Sequence, residues 1–245
     1  MSRAGGDQLL LSSSRAGDTG YLEHAAAWIA EFAAERGLDC GLFVPYAAVT
    51  QSYSAYHGRV AKVFAKLGIE LAALHKAADP AAAIEAAPLL VVGGGNTFAL
   101  TARLQADSLM QPLAERARRG AYIGWSAGAN IATPSLATSN DMPIVEPASF
   151  ATLALVPFQI NPHFMGGSAP GHNGESREQR LAEYCVANPD RRVIALPEGR
   201  ALLRQGSNLA LLGGAAWGFD ASGQQALDEA ADLSSWLDDS GSAAV

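Results

Sequence analysis

Short apolar runs alternate with longer, alanine-rich stretches over the first half of this chain, and no other feature restricts its fold as much. Gln8 to Ser12, Cys40 to Tyr46, Ile69 to Leu74, Leu89 to Val92 and Tyr122 to Trp125 read as strands. Tyr21 to Arg36, Ser54 to Leu67, Ala81 to Ala86 and Phe98 to Arg118 read as the helices between them. A strand–helix–strand succession of this kind builds right-handed βαβ units around a mainly parallel sheet. After Trp125 the pattern changes. Val156 to Ile160, Val193 to Leu196, Ala201 to Leu203 and Leu209 to Leu212 are brief strand signals, with turns such as Gln205-Gly206-Ser207 between them. Ser176 with Gln179 makes a capping box for a helix reaching Val186.

With 49% hydrophobic and 17% charged residues, 245 residues suffice to bury a large core in one α/β domain spanning 1–245. Met1 to Asp7 reads as a disordered extension. The tail from Ala221 reads as partly mobile, with one short helix near Leu233 to Leu237. A net charge of -7 argues against nucleic acid or an anionic membrane as partner. The start shows no basic segment leading into an apolar one, and no apolar run is long enough to span a bilayer, so a cytoplasmic protein is expected. Cys40 and Cys185 are too few for a disulfide framework or a zinc site and read as two buried, reduced thiols; no metal and no cofactor is expected.

The strand Tyr122 to Trp125 ends on Ser126, within Gly124-Trp125-Ser126-Ala127-Gly128. A G-x-S-x-G turn passes from strand to helix so abruptly that its serine is held in a strained conformation and displayed, with small residues alone tolerated beside it. Ser126 is therefore a candidate nucleophile, set against the plainer reading of a tight structural corner. A second apolar run, Leu89 to Val92, ends in Gly93-Gly94-Gly95-Asn96-Thr97, with Thr97 placed to cap the helix beginning near Phe98. Strand ends in a parallel sheet lie side by side. Gly94 or Gly95 is thus a candidate oxyanion donor, together with the Ala127 N–H. The run is neither G-x-G-x-x-G nor a phosphate loop with its lysine, which disfavours nucleotide binding.

Of the five histidines, His163 in Asn161-Pro162-His163-Phe164 is the candidate base, because the preceding proline fixes the local backbone. His24 and His57 lie in helical stretches, His75 at a strand end and His172 in a glycine-rich loop. Two acids compete to orient the imidazole: Glu198, between Pro197 and Gly199 at a strand end, and Asp141, in Ser139-Asn140-Asp141-Met142-Pro143. The strand-end position favours Glu198 by a small margin.

Taken together, GGGNTF at 93–98, GWSAGAN at 124–130, NDMPIV at 140–145, QINPHF at 159–164, GESREQR at 174–180 and LPEG at 196–199 resemble peptidase E, the aspartyl dipeptidase family of serine peptidases. The likeness runs from Leu9 to about Gly214. It implies a three-layer α/β/α fold like the class I glutamine amidotransferases, with Ser126 in place of their cysteine. It also implies cleavage of dipeptides with an N-terminal aspartate, with Ser126 as nucleophile and His163 as base. Both a Glu matching Glu198 and an Asp matching Asp141 serve as the family's third member, so the resemblance leaves that choice open.

An aspartyl substrate brings a side-chain carboxylate, and Arg177 is the candidate clamp because guanidinium binds carboxylate through two parallel hydrogen bonds. The plainer reading is a solvated first turn of a helix. The loop Met165 to Pro170 departs from the family's commoner sequences where a substrate would be covered, which bears on fine specificity. Besides an Asp-X dipeptidase, a cyanophycinase-like enzyme acting on β-aspartyl linkages and a non-enzymatic binding protein of the same fold stand as alternatives. The expected partner is a small peptide, and the expected assembly a monomer or homodimer.

Overall fold

The computed structural model describes residues 6–167, 171, 173–229 and 231–238. Its main sheet has seven strands in the order β3-β2-β4-β5-β1-β8-β9. These are β1 Asp7–Leu11, β2 Cys40–Val44, β3 Glu70–Ala73, β4 Leu89–Val92, β5 Ala121–Trp125, β8 Ala201–Gln205 and β9 Asn208–Leu212. The five from β3 to β1 run parallel, as the βαβ reading requires, and β8 and β9 add an antiparallel hairpin along β1.

Alternation along the central strands sorts their side chains into two cores. Leu10, Leu42, Val44, Leu90, Val92 and Tyr122 face the layer built from α3 Pro80–Ala86, α4 Thr97–Ala106, α5 Met110–Arg119 and α6 Ala127–Asn130. Leu9, Leu11, Phe43, Val91, Ile123 and Trp125 face α1 Ala26–Ala34 and α2 Tyr53–Lys66. Burial of both faces makes the central strands continuously apolar, and the result is the three-layer α/β/α fold expected. A second sheet, β11-β10-β7-β6, consists of β6 Gln159–Asn161, β7 Val193–Ala195, β10 Ala216–Asp220 and β11 Gly223–Leu227. Helix α7, Arg177–Ala187, begins at the capping box of Ser176 and Gln179 and covers this sheet through Leu181 and Cys185.

Several details depart from the sequence reading. Gly6 and Asp7 belong to the fold: the Gly6 N–H bonds the Arg118 carbonyl at 2.7 Å and Asp7 pairs with Arg36 at 2.7 Å, so at most 1–5, outside the described residues, remain of the expected extension. The expected helix 98–118 is two. Ser108 adopts a left-handed φ of 57°, and the Leu109 N–H closes back on the Leu104 carbonyl at 2.8 Å, which ends α4 without the usual glycine. Asn96, not Thr97, caps α4, accepting from the Ala99 N–H at 2.9 Å. Strand β6 starts later than expected because Pro157 has no N–H to give a ladder, and Leu155 bonds the Ala132 carbonyl instead. The tail holds strand β11, paired with β10, and residue 230 and its last seven residues, 239–245, lie outside those described. Cys185 is buried, but Cys40 is exposed.

Candidate active site

The C-terminal ends of β1, β4 and β5 in the large sheet meet those of β6 and β7 in the small one, and the sequence-selected residues converge there. Ser126 follows β5 with φ 52° and ψ -113°, a conformation costly for any residue with a Cβ and found where surroundings enforce it. The enforcement is local packing. A Cβ on Gly124 would come within 2.6 Å of the Gly128 carbonyl, and one on Gly128 would overlap the Val92 carbonyl at the end of β4. The Tyr122 hydroxyl donates to that Gly128 carbonyl at 2.7 Å, and the Ser126 N–H bonds Leu11 at the end of β1 at 3.0 Å. Both glycines of the turn are thus contact glycines, and they draw the elbow onto two neighbouring strands.

His163 lies just past β6 with φ 53°, another non-glycine with positive φ at this site. Its Nε2 stands 2.9 Å from Ser126 Oγ and its Nδ1 2.8 Å from Glu198 Oε1. An ionised carboxylate only accepts, so Nδ1 carries the proton in the neutral ring and Nε2 accepts from the serine hydroxyl. The row Ser126–His163–Glu198 therefore has the polarity that moves the Ser126 proton onto Nε2 and stabilises the imidazolium from behind. Glu198 precedes Gly199, whose φ of 75° turns the chain into β8.

Asp141 does not take part in this row. Its Oδ2 accepts from the Thr97 N–H and Thr97 Oγ1, both at 2.6 Å, and from Ser139 Oγ at 3.2 Å. That ties the loop around Asn140 to the start of α4, next to Gly95, and turns the Asp141 carboxylate to Thr97 and Ser139, with no hydrogen bond to His163. Gly94 packs against the elbow, where a Cβ would lie 3.0 Å from Ser126 Cβ, and Gly95 has φ 138° because it presses on the Ala47 carbonyl. The N–H groups of Gly94, Gly95 and Ala127 have no hydrogen-bond acceptor among the described residues. Of the three, Ala127 directly follows Ser126 and Gly94 packs against it. Among the described residues no group of three or more His, Cys, Asp and Glu is placed to hold a metal ion, and no helix is long and apolar enough to cross a membrane.

The model of Peptidase family S51 matches residues 8–212. This chain belongs to that family. It is 47% identical over 222 residues to Peptidase E of Salmonella heidelberg strain SL476, covering 89% of this chain and 95% of the relative, and 46% identical with the same coverage to that of Salmonella typhimurium strain LT2. Among solved structures, a candidate peptidase E from Listeria monocytogenes EGD-e superposes with a TM-score of 0.63 at 20% identity, covering 85% of this chain and 98% of the other. A peptidase from an acI-B1 Actinobacterium gives 0.65 at 18% identity, covering 95% and 98%. These likenesses extend the three-layer fold of the S51 chain, with its glutamine amidotransferase-like architecture, to both structures.

Arg177 opens α7 on the His163 side of this S51 fold. It is half-buried, without an ion-pair or hydrogen-bond partner among the described residues, and burial followed by the Arg180 guanidinium lowers it from the ordinary arginine value. Arg180 itself is exposed. In the loop after His163, the Gly167 N–H bonds Glu178 Oε1 at 2.6 Å. Residues 168–170 and His172 lie outside the described residues.

Sequence reasoning missed the residues that hold the row in place. Ser12 Oγ accepts from the His163 N–H at 2.9 Å and donates to the Leu196 carbonyl at 2.8 Å, while Ser13 Oγ accepts from the Gly199 N–H at 3.2 Å. Asn130 Nδ2, from the end of the elbow motif, donates to the Ile160 carbonyl at 2.9 Å, and Asn140 Nδ2 donates to the Pro162 carbonyl at 2.6 Å. A signal existed: polar Ser12-Ser13-Ser14 directly follows a fully buried strand, where an unpaired hydroxyl would be costly.

Proposed function

We propose that this family S51 peptidase is a serine dipeptidase that hydrolyses Asp-X dipeptides through an acyl-enzyme on Ser126. The observation that carries the reading is the unbroken row from Ser126 Oγ through His163 to Glu198, at 2.9 and 2.8 Å. Ser126 Oγ attacks the scissile carbonyl carbon as His163 Nε2 takes its proton. The carbonyl oxygen, now negative, lies against the Ala127 N–H and the N–H groups of Gly94 and Gly95. Collapse breaks the C–N bond, the Nε2 proton goes to the leaving amine, and an aspartyl ester stays on Ser126. Water, deprotonated by the same nitrogen, attacks that ester and releases aspartate.

Arg177 supports the aspartyl preference, since a half-buried cation without a partner is favoured by the arrival of a carboxylate. The test is hydrolysis of Asp-Leu, Glu-Leu, Asn-Leu and β-Asp-Leu by the native chain and by Ser126→Ala. Asp-Leu is expected to be the best substrate. Ser126→Ala, with an unchanged circular dichroism spectrum, is expected to lose several orders of magnitude in kcat, on the order of 10⁶ in the serine-protease template. Undiminished turnover in that variant removes the serine mechanism, and a preference for β-Asp-Leu moves the substrate to β-aspartyl linkages.

A further inference from the structure

Behind the candidate site, a row of hydrogen bonds runs from the nucleophile elbow to the glycine loop. Trp125, the residue before Ser126, donates from Nε1 to the Tyr21 hydroxyl at 3.1 Å. Tyr21 donates to the Tyr56 hydroxyl at 3.1 Å, and Tyr56 donates to the Gly94 carbonyl at 2.9 Å. The packing is specific to this path. A Cβ on Gly93 would lie 2.5 Å from the Tyr56 hydroxyl, and one on Gly94 would lie 2.9 Å from Trp125 Cδ1, so neither glycine can carry a side chain while the row stands. Phe43 lies edge-on to Tyr56 at 5.0 Å and stacks on Trp125 at 6.1 Å, filling the space between them.

No peptide bond among the described residues is cis, so in the planar Gly94–Gly95 unit the N–H of Gly95 points opposite to the carbonyl that Tyr56 grips. Holding the carbonyl toward α2 aims the Gly95 N–H away from it, and a peptide whose carbonyl already accepts a bond is a stronger donor at its N–H, by about 10–30% per bond in such chains. We propose that Tyr56 is a positioning residue for the reaction, fixing and polarising the Gly94–Gly95 peptide as an oxyanion donor, with Tyr21 and Trp125 keeping that donor in register with Ser126. The inference rests on the reading of Ser126 as the nucleophile. Burial raises Tyr56 well above the ordinary tyrosine value and raises Tyr21 as well, so both hydroxyls keep their protons and the row keeps its direction throughout the neutral range.

Tyr56→Phe removes one oxygen from this row and leaves the ring in place. With aspartyl p-nitroanilide as substrate, kcat is expected to fall about 10- to 100-fold, between a small misalignment and outright loss of a donor. KM is expected to stay within about twofold, because a transition-state donor adds little to ground-state binding. The pH dependence of kcat/KM should keep its midpoint, since the His163–Glu198 pair is untouched. Tyr21→Phe should act in the same direction but less, and adding it to Tyr56→Phe should cost little more, because its effect passes through Tyr56. A Tyr56→Phe kcat within twofold of the native value overturns the proposal, and so does a loss carried by KM. Should Tyr56→Phe fail to fold, an unchanged kcat in Tyr21→Phe overturns it. Ser126→Ala, assayed alongside, separates the two failures: activity surviving there refutes the serine reading itself, whatever the tyrosine variants do.

Discussion

Ser12 Oγ accepts a hydrogen bond from the backbone N–H of His163 at 2.9 Å across 151 residues of sequence. The same hydroxyl donates to Leu196, two residues before Glu198, at 2.8 Å. One buried oxygen thus joins the end of β1 to the segments that deliver both the histidine and the acid. Ser12→Ala leaves the His163 N–H without an acceptor, at a cost of about 1–3 kcal/mol, whereas the Leu196 carbonyl keeps its bond from the Phe164 N–H. We expect a kcat at least about 10-fold lower with KM little changed, as a small displacement of catalytic groups produces. Steady-state kinetics and a thermal melt check this; a lower melting temperature with unaltered kcat means that the hydroxyl only stabilises the fold.

The two acids should separate cleanly. Glu198→Gln keeps the shape but removes the charge facing Nδ1, and the serine-protease template loses about 10⁴ in kcat for such a change. Asp141→Asn weakens the anchor on Thr97 instead. The lost charge-assisted bonds should cost roughly 1–2 kcal/mol, or about 2–8 °C in Tm for a chain of this size, with a much smaller effect on kcat. Circular dichroism melts and kcat for both variants decide the matter, and a collapse of kcat in Asp141→Asn alone reverses the assignment.

Arg177→Ala is expected to lower kcat/KM for Asp-Leu about 30-fold more than for Asn-Leu, the equivalent of ~2 kcal/mol for a carboxylate pair in a partly desolvated site. Arg177→Lys should restore part of the difference, because an ammonium keeps the charge but lacks the planar fork. Equal losses on the two substrates would turn attention to Arg180.

The thiols should differ in reactivity. Burial, aided by Asp220, pushes Cys185 up to about 11 from an ordinary 9.0, so its neutral form is the one the fold prefers. Its contribution to stability is present below pH 9 and is lost as pH rises toward 11. At pH 8 a disulfide reagent such as DTNB should titrate Cys40 in the native chain and Cys185 only after unfolding. Cys40, raised by partial desolvation and by Asp39 and Glu70, should react more slowly than free glutathione. A native chain that yields both thiols at once contradicts the buried position of Cys185.

The central strands and the Ser126 elbow were legible because each is dictated by near-neighbours in sequence: an apolar run, then glycines that a Cβ would force apart. Ser126, His163 and Glu198 could be singled out for the same reason, each standing just past a strand with Pro or Gly within two residues. Asp141 stayed ambiguous against Glu198, since nothing in Ser139-Asn140-Asp141 states that its carboxylate meets Thr97, 44 positions earlier. Strand β11 was missed because residues 223–226 are all exposed and show no apolar period; the strand exists only by pairing with β10. Tyr21 and Tyr56 read as ordinary helical aromatics, and their joint contact with Trp125 and Gly94 emerges only when two layers close on the sheet.

Ser12, Gly95, Ser126, His163 and Glu198 come from five separate segments, and the last sits just ahead of β8, which must pair with β1 before Glu198 can be held. Contacts this distant in sequence form late, after the loop-closure entropy between them has been overcome. A chain emerging during synthesis therefore carries Ser126 well before Glu198 has been made to meet His163.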